Sequence, residues 1–267
     1  MRQKLTLVTA VCSLLLMPAT SVRAQGTRYP RPPSPLGSLP NPQPQPFPQP
    51  RPAPLAETIS VHELSISEKA VKEFQHSMKA YQSGDYRSSV KHLEKATKIA
   101  PTFIAAYNNL GVSYINLHEY DSAALQFQKA IDLAPQLERP YHNLGLALFL
   151  LNRFPEAEAV TRHALELAPE ESSTRFMLGR ILAMDGNNPT EAVEILRQAT
   201  PEFPEARLSL AGFFIRQGAV DQAAAELQAY LKTPDPLKKQ AVQCWLAKVT
   251  QKPDGGACPA SAPKNHR

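Results

Sequence analysis

Apolar and polar positions divide this chain into three unlike stretches. Leu5 to Met17 is a continuous apolar run behind Arg2 and Lys4, and Pro18 ends it. From Tyr29 to Ala56 no apolar period survives, because proline alternates with Arg, Gln, Ser and Asn. Ile59 and Val61 then alternate before Ser65, and from there apolar residues recur at helical spacing as far as Thr250. The Ser65-x-x-Glu68 pair predicts a capping box that opens the first helix.

Within the helical stretch a longer period governs. Pro101, Pro135 and Pro169 stand 34 residues apart, each behind an apolar run ending in Ala. Ala96, Ala130 and Ala164 keep the same interval, as do Gly111, Gly145 and Gly179, Leu110 with Leu144, and Tyr107 with Tyr141. Self-similarity of this length means stacked supersecondary units, none of which can bury its apolar face alone. Proline stops one unit because it cannot extend the helix before it. Glycine and alanine remove bulk where two helices cross, and large residues such as Tyr107, Leu110 and Phe127 fill the wider gaps. Gly84-Asp85-Tyr86 forms the turn of the first unit, and Asp185 to Pro189 forms a turn one residue longer in the fourth. Pro236 to Thr250 predicts one more helix, with Leu237, Ala241, Cys244, Trp245 and Val249 at helical spacing and lysines opposite.

The order of large residue, Leu-Gly, aromatic, Ala, Phe, Ala and Pro resembles the tetratricopeptide repeat. The second unit follows it most closely, with Tyr107, Leu110, Gly111, Tyr114, Ala123, Phe127, Ala130 and Pro135. The third keeps Tyr141, Leu144, Gly145, Leu148, Ala157, Ala164 and Pro169 but has Thr161 where the second has Phe127. The first has Ser77 for the glycine and Ser89 for the alanine. The fourth keeps Leu178, Gly179, Leu182, Leu196 and Ala199, and the fifth is degenerate, with Leu210, Phe214, Gly218, Ala223 and Leu227. The resemblance implies an all-α fold, a right-handed superhelical α-solenoid. Its hairpins would span about residues 67–100, 101–134, 135–168, 169–202 and 203–234, with a capping helix at 236–250 and the whole domain at 58–252.

In that family the first helix of each hairpin lines the concave face where a protein or peptide partner binds. Carried over, this implies a groove of Phe74, Met78 and Tyr81, then Asn108, Asn109, Val112, Ile115 and Asn116. The third hairpin adds Arg139, His142, Asn143, Leu146 and Phe149, and the fourth adds Phe176 and Arg180. Apolar members of such a set can instead pack between hairpins. The strip is apolar with amides and a few cations, suited to catching a peptide backbone. A subgroup clamps a C-terminal carboxylate with lysines and asparagines, but Phe74 and Met78 stand at the first two places of that clamp, and only Asn109 and Arg139 match.

Charge and cysteine usage change the picture at the edges. The formal net charge of +5 suggests nucleic acid, yet the 58–252 domain holds 21 basic and 22 acidic side chains. The excess lies in the flanks, so no dense basic patch for phosphate is expected in the fold. Lys91, Lys95 and Lys98 form a local basic run, read as a solvated face. Arg2, Lys4, the apolar run and Val22-Arg23-Ala24 read as a signal peptide over 1–24, cut before Gln25. A run of thirteen residues is too short for a membrane span, which needs about 20. The expected location is therefore periplasmic or secreted, behind a 25–57 proline-rich spacer of extended polyproline II character, with a disordered tail at 253–267. Removal of Cys12 leaves Cys244 and Cys258 in an oxidising compartment. They would either bridge the tail to the last helix, or stand as a small buried residue and a free thiol.

Catalytic signatures are missing. His62-Glu63 begins like a zinc-protease motif, but Ile66 takes the place of the second histidine. The seven histidines show no metal-ligand spacing along the chain, no phosphate loop or nucleophile elbow occurs, and Glu156 and Glu158 beside Arg162 read as helix-surface pairs. No cofactor and no metal are expected. The expected function is an exported adaptor in envelope, pilus or secretion assembly. A self-associating structural protein and an accessory subunit of a separate enzyme are the other two readings.

Overall fold

In a computed structural model the described residues are 66–233 and 239–250. The export signal, the proline-rich stretch, His62-Glu63, Ser65, Pro236 and Cys258 lie outside them. Among the described residues every regular element is a helix. They are α1 (Glu68–Gln82), α2 (Tyr86–Ile99), α3 (Ile104–Asn116), α4 (Tyr120–Leu133), α5 (Glu138–Leu150), α6 (Phe154–Leu167), α7 (Ser172–Asp185), α8 (Pro189–Ala199), α9 (Ala206–Arg216), α10 (Val220–Leu231) and α11 (Lys239–Thr250). Successive pairs form five hairpins, and α11 packs on α10. No helix among them is long and apolar enough to cross a membrane.

The helices start and stop for local reasons. Ser67 caps α1, its hydroxyl accepting from the Ala70 amide at 3.3 Å. This corrects the expected capping box: with helix beginning at Glu68, the reach to the third helical amide belongs to Ser67, and Glu68 falls in the first position. Asp85 caps α2 through the Ser88 amide, and Asn188 caps α8 ahead of Pro189. Each turn inside a hairpin passes through one left-handed residue: Gly84, His118, Asn152, Gly186 and Gly218. The first four are spaced by 34 residues and the last by 32, which makes the fifth hairpin short. In four hairpins the next residue stands at the N-cap position of the second helix, whereas Asn187 intervenes in the fourth. That is the extra residue expected there.

The core is continuous with the repeat. An ideal Cβ on Gly111 would lie 2.5 Å from the Phe127 ring, and one on Gly179 would lie 2.9 Å from Ile195. Only glycine lets α3 meet α4, and α7 meet α8, at that separation. Phe127 fills the space so created and is fully buried, a burial that contributes about 2–3 kcal/mol. In the first hairpin Ser77 replaces glycine and satisfies its hydroxyl on the Phe74 carbonyl at 2.6 Å. Ser89 bonds Ser113 of α3 at 3.0 Å, so the polar substitution costs no unpaired group there. The last cluster joins Leu210, Phe213, Phe214, Leu227 and Tyr230 to Val242 and Val249 of α11, with Trp245 half-buried against it. Cys244 of α11 is disulfide-bonded.

Candidate functional site: the face of the first helices

The first helices of neighbouring hairpins touch one another, α3 with α5, α5 with α7 and α7 with α9. This sets them side by side along the stack and covers whichever side chains face the neighbouring first helix. Burial therefore divides the expected groove. Phe74, Val112 and Leu146 are buried with the core and serve packing between hairpins, as do Ile115 and Phe176. Asn108, Asn109, Asn143 and Arg180 are also buried, polar groups held inside the stack. Met78, Tyr81, Asn116, Arg139, His142 and Phe149 remain half-buried. A helical pattern names the face, but only the neighbouring hairpin decides how deeply each position is covered.

The buried amides link the hairpins. Asn109 Nδ2 donates to Met78 Sδ at 3.4 Å, Asn108 Nδ2 to Asn109 Oδ1 at 3.4 Å, and Asn143 Nδ2 to Asn108 Oδ1 at 2.9 Å. This chain runs from α1 through α3 to α5 and ends at Asn143 Oδ1, a buried acceptor with no hydrogen-bond donor. Asn116 Nδ2 donates to the Tyr81 hydroxyl at 3.2 Å and to its own helix at Val112 O, 2.9 Å. Burial raises the Tyr81 phenol above its ordinary pKa, partly opposed by that Asn116 bond, so it stays neutral near pH 7.

Between the third and fourth hairpins the link changes character. Thr174 donates its hydroxyl proton to Glu138 Oε1 at 2.7 Å and faces His142 Nδ1 at 2.8 Å. With the hydroxyl proton committed, His142 donates from Nδ1, leaving Nε2 as its other ring nitrogen. Arg180 stacks its guanidinium over Phe149 at 5.3 Å and over Phe176 at 5.7 Å. Burial lowers its pKa to about 10, so at neutral pH it is a cation with part of its hydration replaced by aromatic faces. The face thus grades from amide and thioether at one end to imidazole and a stacked cation at the other.

Models of the tetratricopeptide repeat match residues 104–137, 142–204 and 183–236. The chain belongs to the tetratricopeptide repeat (TPR) family. Solved structures agree on the fold. A thermophilic TPR protein of Thermus thermophilus superposes with a TM-score of 0.55 at 20% identity, over 68% of this chain and 99% of its own. PilW, a widely conserved type IV pilus biogenesis factor, gives 0.60 at 22%, over 71% and 89%. YrrB, a TPR protein with an unusual peptide-binding site, gives 0.53 at 19%, over 69% and 98%. No curated protein matches the chain by sequence. The TPR architecture is that of a protein-interaction scaffold. The first hairpin, α1 and α2, lies before the matched residues.

Two arrangements in this TPR array were not legible from spacing. Glu156 pairs with Arg153 Nε at 2.7 Å, while Arg162 pairs with Glu158 at 2.8 Å and reaches across to Glu191 of α8 at 2.9 Å. Glu158 thus pairs with Arg162 as expected, Glu156 pairs with Arg153 instead, and Arg162 also joins two hairpins. The histidines do cluster once, contrary to the spacing argument: His76 and His92 meet Glu73 between α1 and α2. His92 is 16 positions from His76 in the chain and beside it only because the hairpin folds back. The Glu73-x-x-His76 spacing on one helix was the available signal.

Proposed function

We propose that this TPR protein is an adaptor that holds an extended segment of a partner protein along its first helices. One observation carries the reading: Met78, Tyr81, Asn116, Arg139, His142 and Phe149 share a face and are half-buried. Several are fixed by bonds from neighbouring hairpins. A face held in place before binding loses less freedom on binding. The mix of amide, phenol and imidazole suits main-chain groups of an extended peptide, and Phe149 offers a place for an aromatic or apolar side chain.

The setting we propose is extracytoplasmic, from the basic, apolar and small-residue order of residues 1–24. Likeness to a pilus biogenesis factor and to a peptide-binding TPR protein supports assembly work in the envelope. Photo-reactive residues placed at Tyr81 and at Phe149 should cross-link a partner in intact cells, while one at exposed Leu125 of α4 should not. Arg139→Glu should cut the adduct at least tenfold. Equal adducts at all three positions, or adducts made only of a second copy of this chain, would sink the adaptor reading. N-terminal sequencing of the cell-derived protein should begin at Gln25.

A further inference from the structure

The first hairpin carries a side-chain cluster that its packing does not require. Glu73 and His76 are three apart on α1 and so project from one side of it. His92 of α2 completes the group, and one donor atom from each lies within 4.8 Å of the others. His92 Nδ1 sits 2.6 Å from Glu73 Oε2, and the two imidazole rings meet edge-on with centroids 5.3 Å apart. Glu73 and His92 are half-buried and held by each other, whereas His76 is exposed.

We propose that Glu73, His76 and His92 bind one divalent transition-metal ion of the zinc class at the head of the repeat array. Two imidazole nitrogens and one carboxylate oxygen suit Zn²⁺ and its neighbours. Ca²⁺ wants six to eight oxygens and Cu⁺ wants sulfur. Bond lengths of about 2.0–2.2 Å in a tetrahedral site set donor atoms roughly 3.4 Å apart. His92 and Glu73 must open slightly from their hydrogen bond, and His76 must close inward by a rotamer change available to an exposed side chain. The ion takes the place of the proton between His92 Nδ1 and Glu73 Oε2, and the neutral imidazole then carries its proton on Nε2. Three protein donors leave a fourth position for water, an open site.

The local electrostatics favour the ion on one side and oppose it on the other. Glu73 Oε2, 2.6 Å from His92 Nδ1, supplies the acidic oxygen that attracts a cation. Lys95 Nζ stands 3.9 Å from the same oxygen and competes for it. Removing that lysine should tighten metal binding, an effect that a purely structural ion pair would not produce. Ion binding ties α1 to α2 in the hairpin whose crossing has Ser77 and Ser89 in place of smaller residues.

The test uses the full chain without a polyhistidine tag, stripped with chelator, then titrated with Co²⁺ and Zn²⁺. One ion per chain is expected, with a visible Co²⁺ d–d band that Zn²⁺ abolishes and a rise of several degrees in Tm under saturating Zn²⁺. His76→Ala, at an exposed position, should keep the helical circular dichroism and weaken Zn²⁺ binding at least tenfold. Glu73→Gln should do the same, and Lys95→Met should strengthen it several-fold. His163→Ala, which removes a separate surface histidine, should change nothing. Failure to bind at millimolar Zn²⁺ overturns the site. So does unchanged affinity in His76→Ala, or a sulfur-to-cobalt charge-transfer band, which would move the ion to cysteine.

Discussion

The second and third hairpins cross at the same glycine and solve the crossing differently. At Gly111 the ring of Phe127 lies against the backbone, and a Cβ would sit within 2.5–2.8 Å of three of its atoms. At Gly145 the opposing side chain is Thr161, whose Oγ1 would lie 2.3 Å from a Cβ, with the next nearest atoms at 3.6 Å. Phe127 is a large, fully buried residue without freedom to move aside, whereas the conflict in the third hairpin is with one hydroxyl. That hydroxyl is buried and has no hydrogen-bond partner. The family pattern therefore specifies close approach of the backbones more tightly than it specifies what fills the space beside them.

The comparison is sharpest in truncations. Phe127→Ala should cost about 3–5 kcal/mol, the range for removing a buried aromatic side chain. Thr161→Ala should change stability by less than about 1 kcal/mol, because the lost methyl contact is offset by removal of an unpaired buried hydroxyl. Urea denaturation midpoints would read both, and comparable losses would break the contrast between the two crossings.

Adding bulk gives the next effect. Gly111→Ala should cost about 1–3 kcal/mol by overpacking, and Gly145→Ala less, since Thr161 can turn its hydroxyl away. Thr161→Ala should then make Gly145→Ala nearly harmless, a coupling that a double-mutant cycle measures directly. Additive losses at that pair would show that the backbone, not the hydroxyl, sets the limit.

The smallest effect concerns the turns. The first, fourth and fifth hairpins place glycine at the left-handed position, where the second and third place His118 and Asn152. Gly218→Ala, at φ +73 with no atom within 4 Å of the added carbon, should cost about 1 kcal/mol from backbone strain alone. His118→Gly should shift Tm little. Relief of the strained φ is offset by unfolded-state entropy and by loss of the 2.8 Å contact between His118 Nδ1 and the Tyr120 hydroxyl. A destabilisation by His118→Gly as large as that of Gly218→Ala would mean the histidine contact holds the turn.

Much of the fold was legible because it depends on spacing along the chain. Three prolines, three glycines and the Ala series at one period imply hairpins whichever way each side chain is buried. The long turn of the fourth hairpin was readable from Asp185 to Pro189, and the structure places Asn187 as the inserted residue. The candidate site was legible only as a helix face. Asn109 and Tyr81 both lie on it by periodicity, yet one is buried and the other half-buried. The first cap was misplaced by two residues because Ser65 and Ser67 offer the same chemistry, and only the onset of helical hydrogen bonding separates them.

What the sequence by itself determined is the repeat: a glycine where helices cross, a proline where hairpins end, and apolar positions enough to stack them. These are local choices of backbone conformation and side-chain volume, and they act before any distant contact forms. Only the tertiary structure decided which polar side chains meet. The Asn108–Asn143 bond spans 35 positions, the Thr174–Glu138 bond spans 36, and His92 reaches Glu73 across 19. A hydrogen bond or a shared ion requires two groups within a few ångströms, and along this chain that proximity exists only once the hairpins have folded back and stacked.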